Sequence, residues 1–191
     1  MGKELVAKGS ITDLSKSADT ALTLLDAKLV LICDRSSSMC AADAMNGKTR
    51  AEIEDQIVSD LQEKYPGQIV LEAFANSAIL CLNGVLPYPD GRATNMAPAF
   101  QLASTLVGVG MRAILLTDGE STDTEAEMLS AAQPLKGKLD IVFIGPDLAA
   151  GRKSMEKLAK AVNGDFNHND LKSDPRFLGQ TIERLMLKAG K

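Results

Sequence analysis

The chain has 191 residues, 45% hydrophobic and 24% charged, enough apolar material for one domain that buries roughly 70% of its unfolded surface without a metal or disulfide to fold it. Its 25 acidic and 21 basic residues give a formal charge of -4 with no long single-sign run, which argues against a nucleic-acid partner bound on a basic face. Cys33, Cys40 and Cys81 are odd in number and lack metal-site spacing, so they are expected reduced and mostly buried. The opening residues lack the continuous apolar core of a signal peptide and no run reaches membrane-spanning length, so the expectation is a cytoplasmic protein with no membrane partner.

Residues 1–26 place Leu14, Ala18, Ala21, Leu22 and Leu25 at a weak helical period, an N-terminal extension expected to dock on the domain of residues 27–191 or on another chain. From there apolar runs alternate with helix-period segments. Residues 28–33, KLVLIC, read as a strand buried on both faces that stops at Asp34. Thr49 and Glu52 sit at capping-box spacing before Ile53, Ile57, Val58 and Leu61, a helix that ends near Tyr65, Pro66 and Gly67. Residues 68–75 and 78–85, parted by Asn76 and Ser77, suit a hairpin with an antiparallel edge strand.

After the turn-rich LPYPDGRATN, a short helix is expected from about 97 to 106, then a buried strand 113–117, AILLT, that ends at Asp118. A helix around 124–135 precedes the strand LDIVFIG, and a helix carrying Met155, Leu158, Ala159 and Val162 ends at Asn163 and Gly164. Ser173 or Asp174 is expected to cap a last helix, with Leu178, Ile182, Leu185 and Met186 facing inward. The order predicts a doubly wound α/β fold, Rossmann-like, of about six mostly parallel strands with one antiparallel edge strand and helices on both faces.

Asp34, Ser36 and Ser38 alternate immediately after a buried strand, so one carboxylate and two hydroxyls can turn toward a common centre. Few carboxylates among neutral hydroxyls suit magnesium, a hard cation that keeps several waters; calcium more often recruits more carboxylates and carbonyls. Asp118 ends a second buried strand, and parallel neighbours would bring the two aspartates to about 5 Å at the carboxyl edge, where ligands of open α/β sheets sit.

Together, DRSSSM at 34–39, GRATNM at 91–96 and LLTDGE at 115–120 resemble the von Willebrand factor A domains, whose metal-ion-dependent adhesion site joins D-x-S-x-S to a distant threonine and aspartate. The resemblance covers about residues 27–188. It implies a magnesium ion, with manganese or calcium as alternatives, held by Asp34, Ser36, Ser38, Thr94 and Asp118. It further implies that Ser36 and Ser38 bind directly, Thr94 directly or through water, and the aspartates mainly through waters. Ser37 and Ala93 stand where the family usually has glycine. Neutral ligands leave the ion electrophilic and one position replaceable. The implied partner is a protein that offers an exposed Asp or Glu, alone or within an ATPase-containing or other multi-subunit assembly, and no nucleophile or general base marks an enzyme.

Rival readings attach to other segments. Ala42–Thr49, ADAMNGKT, matches the loose form of a phosphate-binding loop and would make a nucleotide-binding protein, although it has alanine at the first glycine and lies well past its strand. Asp165, Asn167 and Asn169 imitate the start of a calcium loop that then fails, so DFNHND is expected to be a solvated turn with His168 exposed. Arg35, Glu120 and Asp123 are expected to rim the ion. A structural assembly subunit with a merely stabilising metal is the remaining alternative.

Overall fold

The computed structural model describes residues 5–15, 24–89, 91–108, 110–146, 150–172 and 174–188. Among the described residues six strands form one sheet: β1 (Leu29–Asp34), β2 (Ile69–Phe74), β3 (Ala78–Leu80), β4 (Arg112–Thr117), β5 (Leu139–Phe143) and β6 (Phe166–His168), in the order β3-β2-β1-β4-β5-β6. All neighbours pair parallel except β2 and β3, so the expected doubly wound fold with one antiparallel edge is present. The helices that accompany it include α1 (Ile11–Leu14), α2 (Arg50–Lys64), α3 (Met96–Leu106), α4 (Glu125–Ala132), α5 (Ala150–Ala161) and α6 (Arg176–Leu187).

Strand alternation explains the unbroken apolar run of β1. Leu29, Leu31 and Cys33 enter the core beneath α2 and α6, while Val30 and Ile32 enter the core beneath α3, α4 and α5. Each fully buried Leu or Ile contributes about 1.5–3 kcal/mol relative to an exposed one, so both faces need apolar residues at every step. The inward stripes of α2 and α6 are Ile53, Ile57, Val58 and Leu61, and Leu178, Ile182, Leu185 and Met186, as their spacing predicts.

Local signals set the helix starts. Thr49 accepts from the Glu52 N–H at 3.1 Å while Glu52 accepts from the Thr49 N–H at 2.7 Å, which closes the predicted capping box. Thr124 and Glu127 close a second box at α4. At α6, Asp174 accepts from the Arg176 N–H at 3.0 Å, and Ser173 lies outside the described residues.

Three expectations change. The second arm of the hairpin is only Ala78–Leu80. The predicted turn DFNHND contains β6, paired parallel with β5; its residues are half-buried at a sheet edge and only Phe166 is apolar, so hydrophobic alternation gave no strand signal there. In the N-terminal extension Ile11, 1% exposed, lies in the core beneath α3 and Leu24 packs against the same core, while Leu14 is half-buried, Leu25 is exposed and Ala18, Ala21 and Leu22 lie outside the described residues. The Ala7 and Thr12 N–H groups donate to the carbonyls of Asn83 and Leu82 just beyond β3, both at 2.9 Å, so residues 7–12 lie along the sheet edge.

Candidate metal centre

β1 lies between β2 and β4, so the strand order reverses across the β1–β4 gap, and both strands end there in polar residues. Cys33 pairs with Leu116, a register that sets Thr117, rather than Asp118, beside Asp34. Asp34 is fully buried: its Oδ1 accepts the Ser36 N–H at 2.9 Å and its Oδ2 accepts the Thr117 hydroxyl at 2.7 Å. Burial, and then the charge of Asp118, push the Asp34 carboxyl up to about 6 against the pull of these hydrogen bonds. Ser36 Oγ and Ser38 Oγ stand 2.9 Å apart, so the alternating serines do converge.

The loop that carries Thr94 is joined to this one through its backbone. Ser36 forms a parallel bridge with Gly91, and the Ser37 N–H donates to the Gly91 carbonyl at 2.9 Å. That approach needs glycine, since a Cβ on Gly91 would come within 2.1 Å of the Ala75 Cβ. The Thr94 carbonyl accepts from the Thr122 N–H at 3.0 Å and from the Ser121 hydroxyl at 3.1 Å, which ties the same loop to the one that follows Asp118. Thr94 is 7% exposed and Asp118 is 2% exposed.

Asp118 has a partner that the sequence did not reveal. Arg50, the first residue of α2, donates from Nη1 to Asp118 Oδ2 at 2.7 Å, while its Nε and Nη2 grip both oxygens of Asp43 at 2.9 and 2.6 Å. Thr117 and Asp43 were likewise missed. Thr117 read as the last residue of an apolar strand, and nothing in the spacing of Asp43 and Arg50 linked either to a residue 68 positions from Arg50.

Arg35 does not rim the site. It is 3% exposed, and its guanidinium pairs with Glu54 at 3.1 Å and Asp55 at 3.0 Å on α2, with Nε on the Pro87 carbonyl. Asp123 accepts from the Ala97 N–H at 2.9 Å and so caps α3 from outside, whereas Glu120 and Ser37 are exposed. In the rival phosphate loop the N–H groups of Ala44, Met45, Gly47 and Lys48 donate to other backbone carbonyls and that of Thr49 to Glu52, which leaves them turned away from any phosphate. The calcium-loop imitation disperses too: Asp165 pairs with Lys188, Asn167 with Arg184 and Asn169 with Thr181. His168 is half-buried against Phe143, at 5.4 Å between ring centroids, with Nε2 at 2.9 Å from the Gly145 carbonyl.

Among the described residues no group of three or more His, Cys, Asp or Glu side chains could hold a metal. The five candidates supply hydroxyl and carboxylate oxygen instead, the donor chemistry of a hard divalent cation. A buried carboxyl whose ionised form is disfavoured, beside two converging hydroxyls and a second buried acid, fits such an ion, which would offset the desolvation cost of Asp34.

No family model matches the sequence, and no curated protein gives a significant match. Solved structures do. A von Willebrand factor type A protein from Catenulispora acidiphila is 19% identical with a TM-score of 0.57 over 86% of this chain and 42% of that one. The ArnB paralog VWA2 from Sulfolobus acidocaldarius is 22% identical with a TM-score of 0.58 over 82% and 44%. The manganese-loaded TRAP protein of Plasmodium vivax is 14% identical with a TM-score of 0.56 over 85% and 74%. The chain therefore spans less than half the length of the first two, and what it shares with all three is the von Willebrand factor A fold.

Proposed function

We propose that this von Willebrand factor A fold serves as a divalent-metal-dependent protein-binding module, in which Asp34, Ser36, Ser38, Thr94 and Asp118 hold magnesium and an acidic residue of the partner completes the site. The observation that supports this most is the convergence of Ser36 Oγ and Ser38 Oγ at 2.9 Å beside the buried Asp34, at the point where the strand order reverses. Ser36 and Ser38 would bind through neutral oxygens. Asp34 would supply charge from behind them, oriented by the Ser36 N–H and the Thr117 hydroxyl. When bound, the cation supplies a Lewis-acidic position for an anionic oxygen of the partner. The manganese-loaded TRAP protein shows that this fold can hold a divalent ion, which lends support by analogy.

Binding rather than catalysis is the role we assign, either alone or within a larger assembly such as one driven by an ATPase. Three free cysteines suit a reducing, cytoplasmic setting, and among the described residues no helix is long and apolar enough to cross a membrane. Capture of partners on the immobilised chain, with and without EDTA, tests the reading. Magnesium-dependent capture that Asp34→Ala abolishes supports it; capture indifferent to both refutes it. Chelation that chiefly lowers the melting temperature would instead assign the ion a stabilising role.

A further inference from the structure

A cation at the first position of a helix opposes the helix dipole, which favours acids there. Arg50 occupies that position in α2, directly after the Thr49 cap, and its side chain is only 10% exposed. Desolvating a guanidinium at the positive end of a helix is costly, so the residues that hold it there matter. Asp43 takes Nε and Nη2 as a planar fork, the bidentate geometry that fixes an arginine most firmly. The remaining arm, Nη1, reaches Asp118, one of the five candidate ligands.

Asp34, Asp43 and Asp118 gather around the candidate centre, and the Arg50 guanidinium is in contact both with Asp43 and with a candidate ligand, Asp118. We infer that Arg50 is a built-in counter-cation that competes with the divalent ion for Asp118 and so sets how tightly the site holds metal, while Asp43 anchors it and tempers its charge. This rests on the metal-binding reading above and deepens it. A site with Asp34 and Asp118 both uncompensated would bind a dication tightly and quench its charge; Arg50 keeps the field at the centre weaker and the ion more electrophilic toward an acidic partner. It also gives the chain a stable arrangement without metal, because Asp118 is never left as an unpaired buried carboxylate.

The two residues of the network predict opposite effects. Arg50→Gln keeps a donor toward Asp118 but removes the positive charge, so affinity for Mn2+ should rise by about tenfold. Asp43→Asn keeps the shape but removes the charge that tempers Arg50, so affinity should fall several-fold. A network that only braces the loops would lower affinity in both variants. Calorimetric titration of MnCl2 into the full chain and the two variants, with melting temperatures checked alongside, reads the result. Stronger binding in Arg50→Gln with weaker binding in Asp43→Asn supports the inference. Unchanged or weaker binding in Arg50→Gln overturns it while leaving the metal site intact. Absence of Mn2+ binding by the unaltered chain would overturn the metal reading and this inference with it.

Discussion

Replacing Glu72 with methionine should stabilise the protein, and by more as the pH rises. Glu72 lies in the middle of β2, fully buried, and neither carboxyl oxygen has a hydrogen-bond partner among the described residues. Leu71 and Ala73 point into the core beneath α2 and α6, so alternation sets Glu72 on the opposite face with Val70 and Phe74. Burial alone pushes its carboxyl from about 4.5 up to about 8. Above the lower value the unfolded chain releases a proton that the folded chain keeps, so stability falls with pH until the folded group also ionises. Each pH unit in that window costs about 1.4 kcal/mol, on the order of 4 kcal/mol between pH 5 and pH 8. Methionine has nearly the same length and no polar atom to leave unpaired. Urea unfolding of both proteins at three pH values should show the variant ahead by about 1–2 kcal/mol at pH 5, from the orphaned oxygens and the onset of that window, with the gap widening toward pH 8. A gap that does not change with pH, or a variant less stable than the parent, would refute the assignment of Glu72 as an uncompensated buried acid.

Two further substitutions probe the parts that position the site. Ile11→Ala removes a side chain that is 1% exposed in the core beneath α3 and should cost about 2–4 kcal/mol in urea unfolding; a loss within error would separate the N-terminal segment from the fold. Gly151→Ala would place a Cβ within 2.3 Å of the Gly119 carbonyl carbon and push on the loop that follows Asp118, so Mn2+ titration should show affinity reduced several-fold together with a lower melting temperature. Unaltered affinity would mean that α5 does not hold that loop in place.

The parts of this molecule that were legible in the sequence are those set by neighbours along the chain. Strand β1 announced itself because both faces are buried, and Thr49 with Glu52 announced α2 because a capping box is complete within four residues. Asp34, Ser36 and Ser38 belong to the same class: their convergence follows from alternation just past a strand end. β6 was hidden because a half-buried edge strand needs no apolar residues, and Phe166–His168 has one. Register hid Thr117, which lies beside Asp34 only through the pairing of Cys33 with Leu116. Arg35, expected at the rim, and Arg50, not singled out at all, escaped for a common reason. Both stand next to acidic or polar loop residues and look solvated, yet Arg35 is enclosed by Glu54, Asp55 and the Pro87 carbonyl, and Arg50 by Asp43 and Asp118.

The central claim is that Asp34, Ser36 and Ser38 bring oxygen to one divalent ion. Anomalous diffraction from crystals soaked in Mn2+ tests it most directly. The account predicts a single peak in contact with both Ser36 Oγ and Ser38 Oγ, absent from crystals of Asp34→Ala. A peak at another group of residues, or none at millimolar Mn2+ in the unaltered chain, would contradict it.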